Sequence, residues 1–192
     1  MNLVFASSNL HKLREIADIL GPGFTLLSLK DIGCKEDIPE PWPTLEDNAL
    51  AKARYVNVRY GLDCFADDTG LEVEALDGKP GVMSARYAGP GKNSRDNMLK
   101  LLEELKGETN RRARFRAVIA LIHYGQEFLF EGIVNGHLTH QPSGEGGFGY
   151  DPIFIPEGYD QTFGALSPGI KNSISHRYRA IEKLVQFLKK NS

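Results

Sequence analysis

Cysteine is scarce in this chain: two thiols, Cys34 and Cys64, in 192 residues. That count excludes a disulfide-stapled scaffold, and each thiol sits among apolar neighbours, so both are expected to be buried and reduced. No apolar run approaches the length of a membrane span. Met1 to Ser7 contain neither a basic segment nor an apolar stretch long enough for a secretory signal, so the expected location is cytoplasmic. An excess of one charge is also missing. The 23 Lys and Arg against 25 Asp and Glu leave a formal net charge of -2. A global field for nucleic acid or for membrane surfaces is therefore not expected. Internal repeats, low-complexity tracts and interdomain linkers are lacking as well. What remains, 41% hydrophobic and 25% charged residues, is ordinary for a globular chain. The length suits one well-buried core, so a single domain over 1–192, with two lobes around a cleft, is expected.

Apolar periodicity places the elements. Leu3 to Ala6 reads as a short buried strand. Leu13, Ile16, Ala17 and Leu20 recur at helical spacing and predict a helix from Leu10 to Leu20, stopped by Gly21-Pro22-Gly23. Phe24 to Leu29 predicts a second strand. Pro39-Glu40-Pro41-Trp42-Pro43 is a stiff loop, because three prolines remove donors and fix φ. Thr44 with Asp47 fits a capping box for a helix reaching Tyr60. Cys64 to Ala66 reads as a strand ending in Asp67-Asp68, and Leu71, Val73 and Ala75 as a separate strand. Ser94 is the expected cap of a helix carrying Met98, Leu101, Leu102 and Leu105. Arg114 to His123 pairs with Glu127 to Gly136 across Tyr124-Gly125-Gln126. Ser173 or Ser175 caps a last helix containing Ile181, Leu184 and Leu188.

Five constellations can carry chemistry. In Phe65-Ala66-Asp67-Asp68-Thr69-Gly70, a strand delivers two carboxylates, whose crowding a cation or a shared proton relieves. This pattern suits a hard ion such as Mg²⁺ and an acid that activates water; the alternative is an acidic turn. Ser7-Ser8-Asn9-Leu10-His11-Lys12 lies between a strand and a helix start. Free N–H groups and Lys12 can cradle phosphate there, unless Ser8 or Asn9 merely caps the helix. Lys52 stands among small alanines on the helix after the proline loop. Gly144-Glu145-Gly146-Gly147-Phe148-Gly149-Tyr150-Asp151-Pro152 combines the backbone freedom of four glycines, an aromatic ring and an acid, as a base-binding loop does; a glycine-rich hairpin with an aromatic plug is the alternative. Lys171, His176 and Arg177 surround the last helix start, where the dipole disfavours cations, so either an anionic or carbonyl partner or plain surface charge accounts for them. Arg112, Arg114 and Arg116 share a strand face and read as a solvated edge. His137 and His140 lack a third ligand at zinc spacing.

Six motifs in register give this chain a family likeness: Ser7-Ser8-Asn9-x-x-Lys12, Asn48-Ala49-x-x-Lys52-Ala53, Ala66-Asp67-Asp68-Thr69-Gly70-Leu71, Pro80-Gly81-x-x-Ser84-Ala85-Arg86-Tyr87, Gly147-Phe148-Gly149-Tyr150-Asp151-Pro152 and Ser175-His176-Arg177. The chain resembles the inosine/xanthosine triphosphate pyrophosphatases over essentially its whole length. The resemblance implies an α/β fold: a mixed twisted sheet flanked by helices, with two lobes around a central substrate cleft. It implies a homodimer and Mg²⁺-dependent hydrolysis of ITP, dITP and XTP to monophosphate and pyrophosphate. By position, it makes Asp68 the acid/base with Asp67 beside it, and Asp68 and Glu40 the metal carboxylates, with Glu46 or Asp47 as replacements for Glu40. Ser7, Ser8, Asn9, Leu10, His11, Lys12 and Lys52 would hold the triphosphate. Thr69, Phe148, Gly149, Tyr150, Asp151, Lys171, His176 and Arg177 would contact the rest of the substrate. Two departures stand out: Ser7-Ser8 replaces a usual Thr-Gly, and Pro168-Gly169-Ile170 precedes Lys171 where acids are common.

Overall fold

A computed structural model describes residues 2–20 and 23–191. Its elements are β1 (Asn2–Phe5), α1 (Leu10–Leu20), β2 (Thr25–Leu27), α2 (Leu45–Tyr60), β3 (Cys64–Val73), β4 (Pro80–Gly81), α3 (Ser94–Glu104), β5 (Arg112–His123), β6 (Gln126–Leu138), β7 (Phe154–Pro156), α4 (Pro168–Ile174) and α5 (His176–Lys190). Among the described residues the strands form one mixed sheet, ordered β2-β1-β3-β5-β6-β7, with β4 pairing β3. β1 runs parallel to both β2 and β3, whereas β4 and β7 pair antiparallel. The mixed α/β architecture expected from the sequence is present. Chain contacts divide it into two compact units: Met1–Asp68, Ala117–Gly132 and Arg177–Ser192 form the first, and Thr69–Arg116 with Ile133–His176 the second.

In the first unit, Leu3 and Phe5 of β1, Phe65 of β3 and Ala117, Ile119 and Leu121 of β5 pack against Ile16 and Leu20 of α1 and Ala180, Ile181, Leu184 and Leu188 of α5. Ile16 and Leu20, and Ile181, Leu184 and Leu188, recur three or four residues apart, which is the stripe a helix turns toward a core. Ala117 to His123 is buried throughout, so this half of β5 is covered on both faces. α2 supplies the other cover: Cys64 Sγ lies 3.1 Å from the Ala53 carbonyl oxygen. Thr44 caps α2 as expected, its Oγ1 accepting from Asp47 N at 3.1 Å and donating to Asp47 Oδ2 at 2.7 Å. In the second unit, Leu71, Met98, Leu101, Phe115, Val134, Phe154 and Phe163 form a separate core.

Several expectations need correction. The Asp67-Asp68 pair does not end its strand: β3 continues to Val73, and Ala75 falls in a 3-10 turn beyond it. Backbone approach makes this continuation possible, since a Cβ at Gly70 would lie 2.6 Å from the Gly81 carbonyl oxygen of β4. The cap of α3 is Asn93, one residue before Ser94, and its Oδ1 accepts from Arg95 N and Asp96 N. Arg114 and Arg116 do not form a solvated edge. β5 is interior to the sheet, and both guanidinium groups reach Glu72, Arg114 Nε at 2.6 Å. The seven-residue α4 opens Pro168-Gly169; proline is tolerated at a first helical turn, and Ser167 caps it. Ser173 belongs to α4, where its hydroxyl donates to the Ile170 carbonyl oxygen, so Ser175 is the residue preceding α5. β2 is only three residues long. The β5–β6 hairpin closes on two residues, Tyr124 and Gly125, both at positive φ, the geometry that suits strand twist. Gly21-Pro22, expected to stop α1, lies outside the described residues.

Candidate active site

Side-chain alternation decides how the two aspartates are used. Successive residues of a strand point to opposite faces. Phe65 packs under α1 and α5, so Asp67, two residues on, faces those helices. Cys64 and Ala66 face α2, and so does Asp68. β1 pairs with β3 only as far as Phe5↔Phe65, so both acids lie just past the carboxyl end of β1, where α/β folds place ligands.

Asp67 has no solvent exposure and is held by two cations. Lys12 Nζ from α1 stands 3.0 Å from Oδ1, and Arg177 Nε from α5 stands 3.2 Å from Oδ2. Arg177, 1% exposed, also pairs with Glu15 through Nη1. Burial opposes the charge on Asp67, but Lys12, Arg177 and Lys52 outweigh it and hold the carboxyl well below the usual range. Asp67 is therefore an anion at neutral pH. Burial pushes the Lys12 ammonium down despite Asp67, with Lys52 and Arg177 adding to the fall. Burial works against the Arg177 charge too, yet Asp67 and Glu15 more than offset it.

Asp68 lies in the opposite environment. Lys52 Nζ, one face of α2 away, sits 3.4 Å from Asp68 Oδ1, 2.6 Å from Glu40 Oε1 and 2.6 Å from the Asp67 carbonyl oxygen. Burial raises the Asp68 pKa above the ordinary carboxylate value; Lys52 and Lys12 oppose the rise, and Glu40 and Asp67 reinforce it. Lys52 loses by burial and regains more from Asp68, Glu40 and Asp67, so it stays charged. The proline loop thus brings Glu40, rather than Asp47, to Asp68: Asp47 is committed to the α2 cap. Two oxygen ligands beside an under-compensated negative charge fit a hard divalent cation, with water or substrate oxygens completing its shell. Among the described residues no cluster of three or more His, Cys, Asp or Glu has metal-holding geometry.

In the β1–α1 connection the capping alternative is realised. Asn9 Oδ1 accepts from His11 N at 3.0 Å and Lys12 N at 3.2 Å, so Asn9 caps α1. Ser7 Oγ accepts from Asn9 N. Ser8, Leu10 and His11 are exposed.

In the second unit, Asp151 Oδ2 accepts from Phe148 N at 2.8 Å and from Lys171 Nζ at 2.6 Å. Lys171 Nζ sits 5.1 Å from the centre of the Phe148 ring. Asp151 thereby folds the glycine loop around the lysine that α4 delivers. Gly147 is essential to that turn: its φ is +71° and an added Cβ would overlap the Asp151 carboxylate. Gly147→Ala should lower stability by about 1–3 kcal/mol, read as a reduced urea midpoint at unchanged slope. Tyr150 is core rather than contact surface; its hydroxyl donates to the Ser84 carbonyl oxygen at 2.8 Å. Gly149 is half-buried at positive φ, and Thr69 is half-buried on β3. His176, buried, stacks on Phe115 with ring centroids 4.7 Å apart. Of the expected Lys171–His176–Arg177 set, Lys171 pairs with Asp151 in the second unit and Arg177 with Asp67 and Glu15 in the first. Sequence reasoning did not single out Glu15, although its place one turn beyond Lys12 on the same helix face was a usable signal.

A mixed α/β sheet whose interior strand carries one locked and one poised carboxylate, each met by a helix-borne lysine, defines the class. The chain belongs to the Ham1 family, which it matches over residues 3–187. It is 54% identical to the dITP/XTP pyrophosphatase of Flavobacterium johnsoniae over 98% of both chains. It is 53% identical to the protein of the same name from Porphyromonas gingivalis, over 97% of this chain and 96% of that one. The Ham1 protein of Staphylococcus aureus superposes with a TM-score of 0.91 at 37% identity, covering all of both chains.

Proposed function

We propose that this protein hydrolyses non-standard purine nucleoside triphosphates, ITP, dITP and XTP, to the monophosphate and pyrophosphate. The observation that carries the reading is the division of labour between neighbouring acids: Asp67 is neutralised by Lys12 and Arg177, while Asp68 stands above its usual pKa beside Lys52 and Glu40. Relatives over nearly the full chain bear the name dITP/XTP pyrophosphatase.

Water attacks the α-phosphorus, the bond to the bridging oxygen breaks, and pyrophosphate leaves. Asp68, ionised, orients the water and takes its proton. Lys52 and Lys12 exchange part of their contact with carboxylates for contact with phosphate, absorbing charge as the bridge breaks. Asp67 acts through Lys12, holding the ammonium in place. Asp68 and Glu40 would hold Mg²⁺, which supplies charge neutralisation on the phosphates when bound. In the second unit Lys171, a donor only, suits the 6-oxo acceptor of hypoxanthine and xanthine and opposes the 6-amino group of adenine. The working form is a cytoplasmic homodimer.

A substrate panel with Mg²⁺ tests this. Pyrophosphate release should be about 10- to 100-fold faster from ITP, dITP and XTP than from ATP. Binding of ITP without pyrophosphate release would make the protein a nucleotide sensor instead.

A further inference from the structure

We propose that Asn48 is a positioning residue: it clamps the backbone of Trp42 and so fixes Glu40 against Lys52, setting the second carboxylate of the cation site. The consequence for metal rests on the function proposed above; the clamp does not. Asn48 is 1% exposed and lies on α2 one turn before Lys52. Its Oδ1 accepts from Trp42 N at 3.0 Å, and its Nδ2 donates to the Trp42 carbonyl oxygen at 3.0 Å. One amide therefore satisfies both backbone groups of a single loop residue, as a strand partner does.

The spacing explains why the clamp governs Glu40. Asn48 and Lys52 are four residues apart on a helix, a rise of about 6 Å. Glu40 and Trp42 are two residues apart on extended chain, a span of roughly 7 Å. The loop therefore lies antiparallel along α2, with Trp42 on Asn48 and Glu40 on Lys52, the latter at 2.6 Å. Residues 39, 41 and 43 are prolines, so only Glu40 and Trp42 in this stretch own a backbone N–H, and φ is fixed at alternate residues. A chain that stiff transmits a constraint at Trp42 to Glu40. Trp42 is 51% exposed, so its burial is not what anchors the loop. Asn48 is also uncharged, so its effect on Glu40 is positional rather than electrostatic.

Trp42 is the one tryptophan of the chain and reports on its own loop. In the metal-free protein without nucleotide, the Trp42 anisotropy decay should follow overall tumbling. Asn48→Ala should add a large nanosecond component with helix content retained by circular dichroism. Mn²⁺ affinity, followed by electron paramagnetic resonance, should weaken about 10- to 100-fold, as when a partner orienting a metal ligand is removed. Turnover of ITP at saturating metal should stay within about threefold of the parent, because a positioned ligand is lost and not the ligand itself. Asn48→Asp keeps the acceptor for Trp42 N and loses the donor; it should show the same changes, and serves if the alanine variant fails to fold. Unaltered anisotropy or unaltered Mn²⁺ affinity in a folded variant overturns the proposal, as does a parent protein that binds no Mn²⁺. A parent that binds Mn²⁺ but releases no pyrophosphate defeats the proposed function and leaves the clamp standing.

Discussion

Asp68→Asn is expected to reduce pyrophosphate release from ITP by about 10³-fold or more while nucleotide binding stays measurable. Asparagine keeps the shape of the side chain but cannot take a proton from water or bear the charge that answers Lys52. The same substitution should raise thermal stability. Burial sets the folded-state pKa of Asp68 above that of the unfolded chain, so the folded protein binds this proton more tightly. Its stabilising contribution is full below the unfolded pKa, near 3.9, and is lost as pH rises through the folded pKa. At neutral pH the ionised carboxylate is a net cost, and Asn removes it. Parallel melts at pH 7 should place Asp68→Asn above the parent protein. A variant with most of its turnover intact would remove Asp68 from the chemistry, and a variant that melts lower would refute the argument from burial.

Asp67→Ala should act in the opposite direction. It strands Arg177 and Lys12 without the anion between them, and breaking a buried ion pair by removing one partner costs about 3–5 kcal/mol. Glu15 still answers Arg177, so the lower half of that range is expected. The folded pKa of Asp67 is depressed, so its contribution is present above the unfolded pKa and is lost as pH falls through the folded one. The parent protein should lose stability below about pH 4, and the variant should lack that part of the acid limb. Urea unfolding at pH 7 and pH 3 measures both effects. A deficit under about 1 kcal/mol at pH 7 would show that Asp67 behaves as a surface ion and does not anchor the site. The two neighbours thus carry opposite predicted signs, a contrast that no account treating them as an equivalent carboxylate pair yields.

Much of this was legible without coordinates. The stripe of Leu13, Ile16 and Leu20 and the Thr44–Asp47 box place α1 and α2 because helical spacing and caps are local signals. The Tyr124-Gly125 hairpin is equally local. The same locality explains the misses. No helix is expected at Pro168-Gly169, two poor helix formers, yet the proline sits where its missing N–H costs nothing. The arginines of β5 looked like an edge because nothing nearby in sequence shows that β3 and β6 flank them. For the segment Ser7 to Lys12 the sequence leaves capping and phosphate binding open, and only the structure shows Asn9 capping α1.

The chain by itself determined the inventory: the acids of β3, the lysines of α1 and α2, the glycine loop and the family they announce. It could not determine who faces whom. Adjacent carboxylates in a sequence look like one site, but a pleated strand turns them to opposite sides, toward helices that supply different partners. Lys12 meets Asp67 across 55 residues and Arg177 meets it across 110. Only packing of α1 and α5 on the sheet brings those groups together; burial works against both carboxylates, and the cations around each then decide that Asp67 is held as an anion while Asp68 is left ready to take a proton.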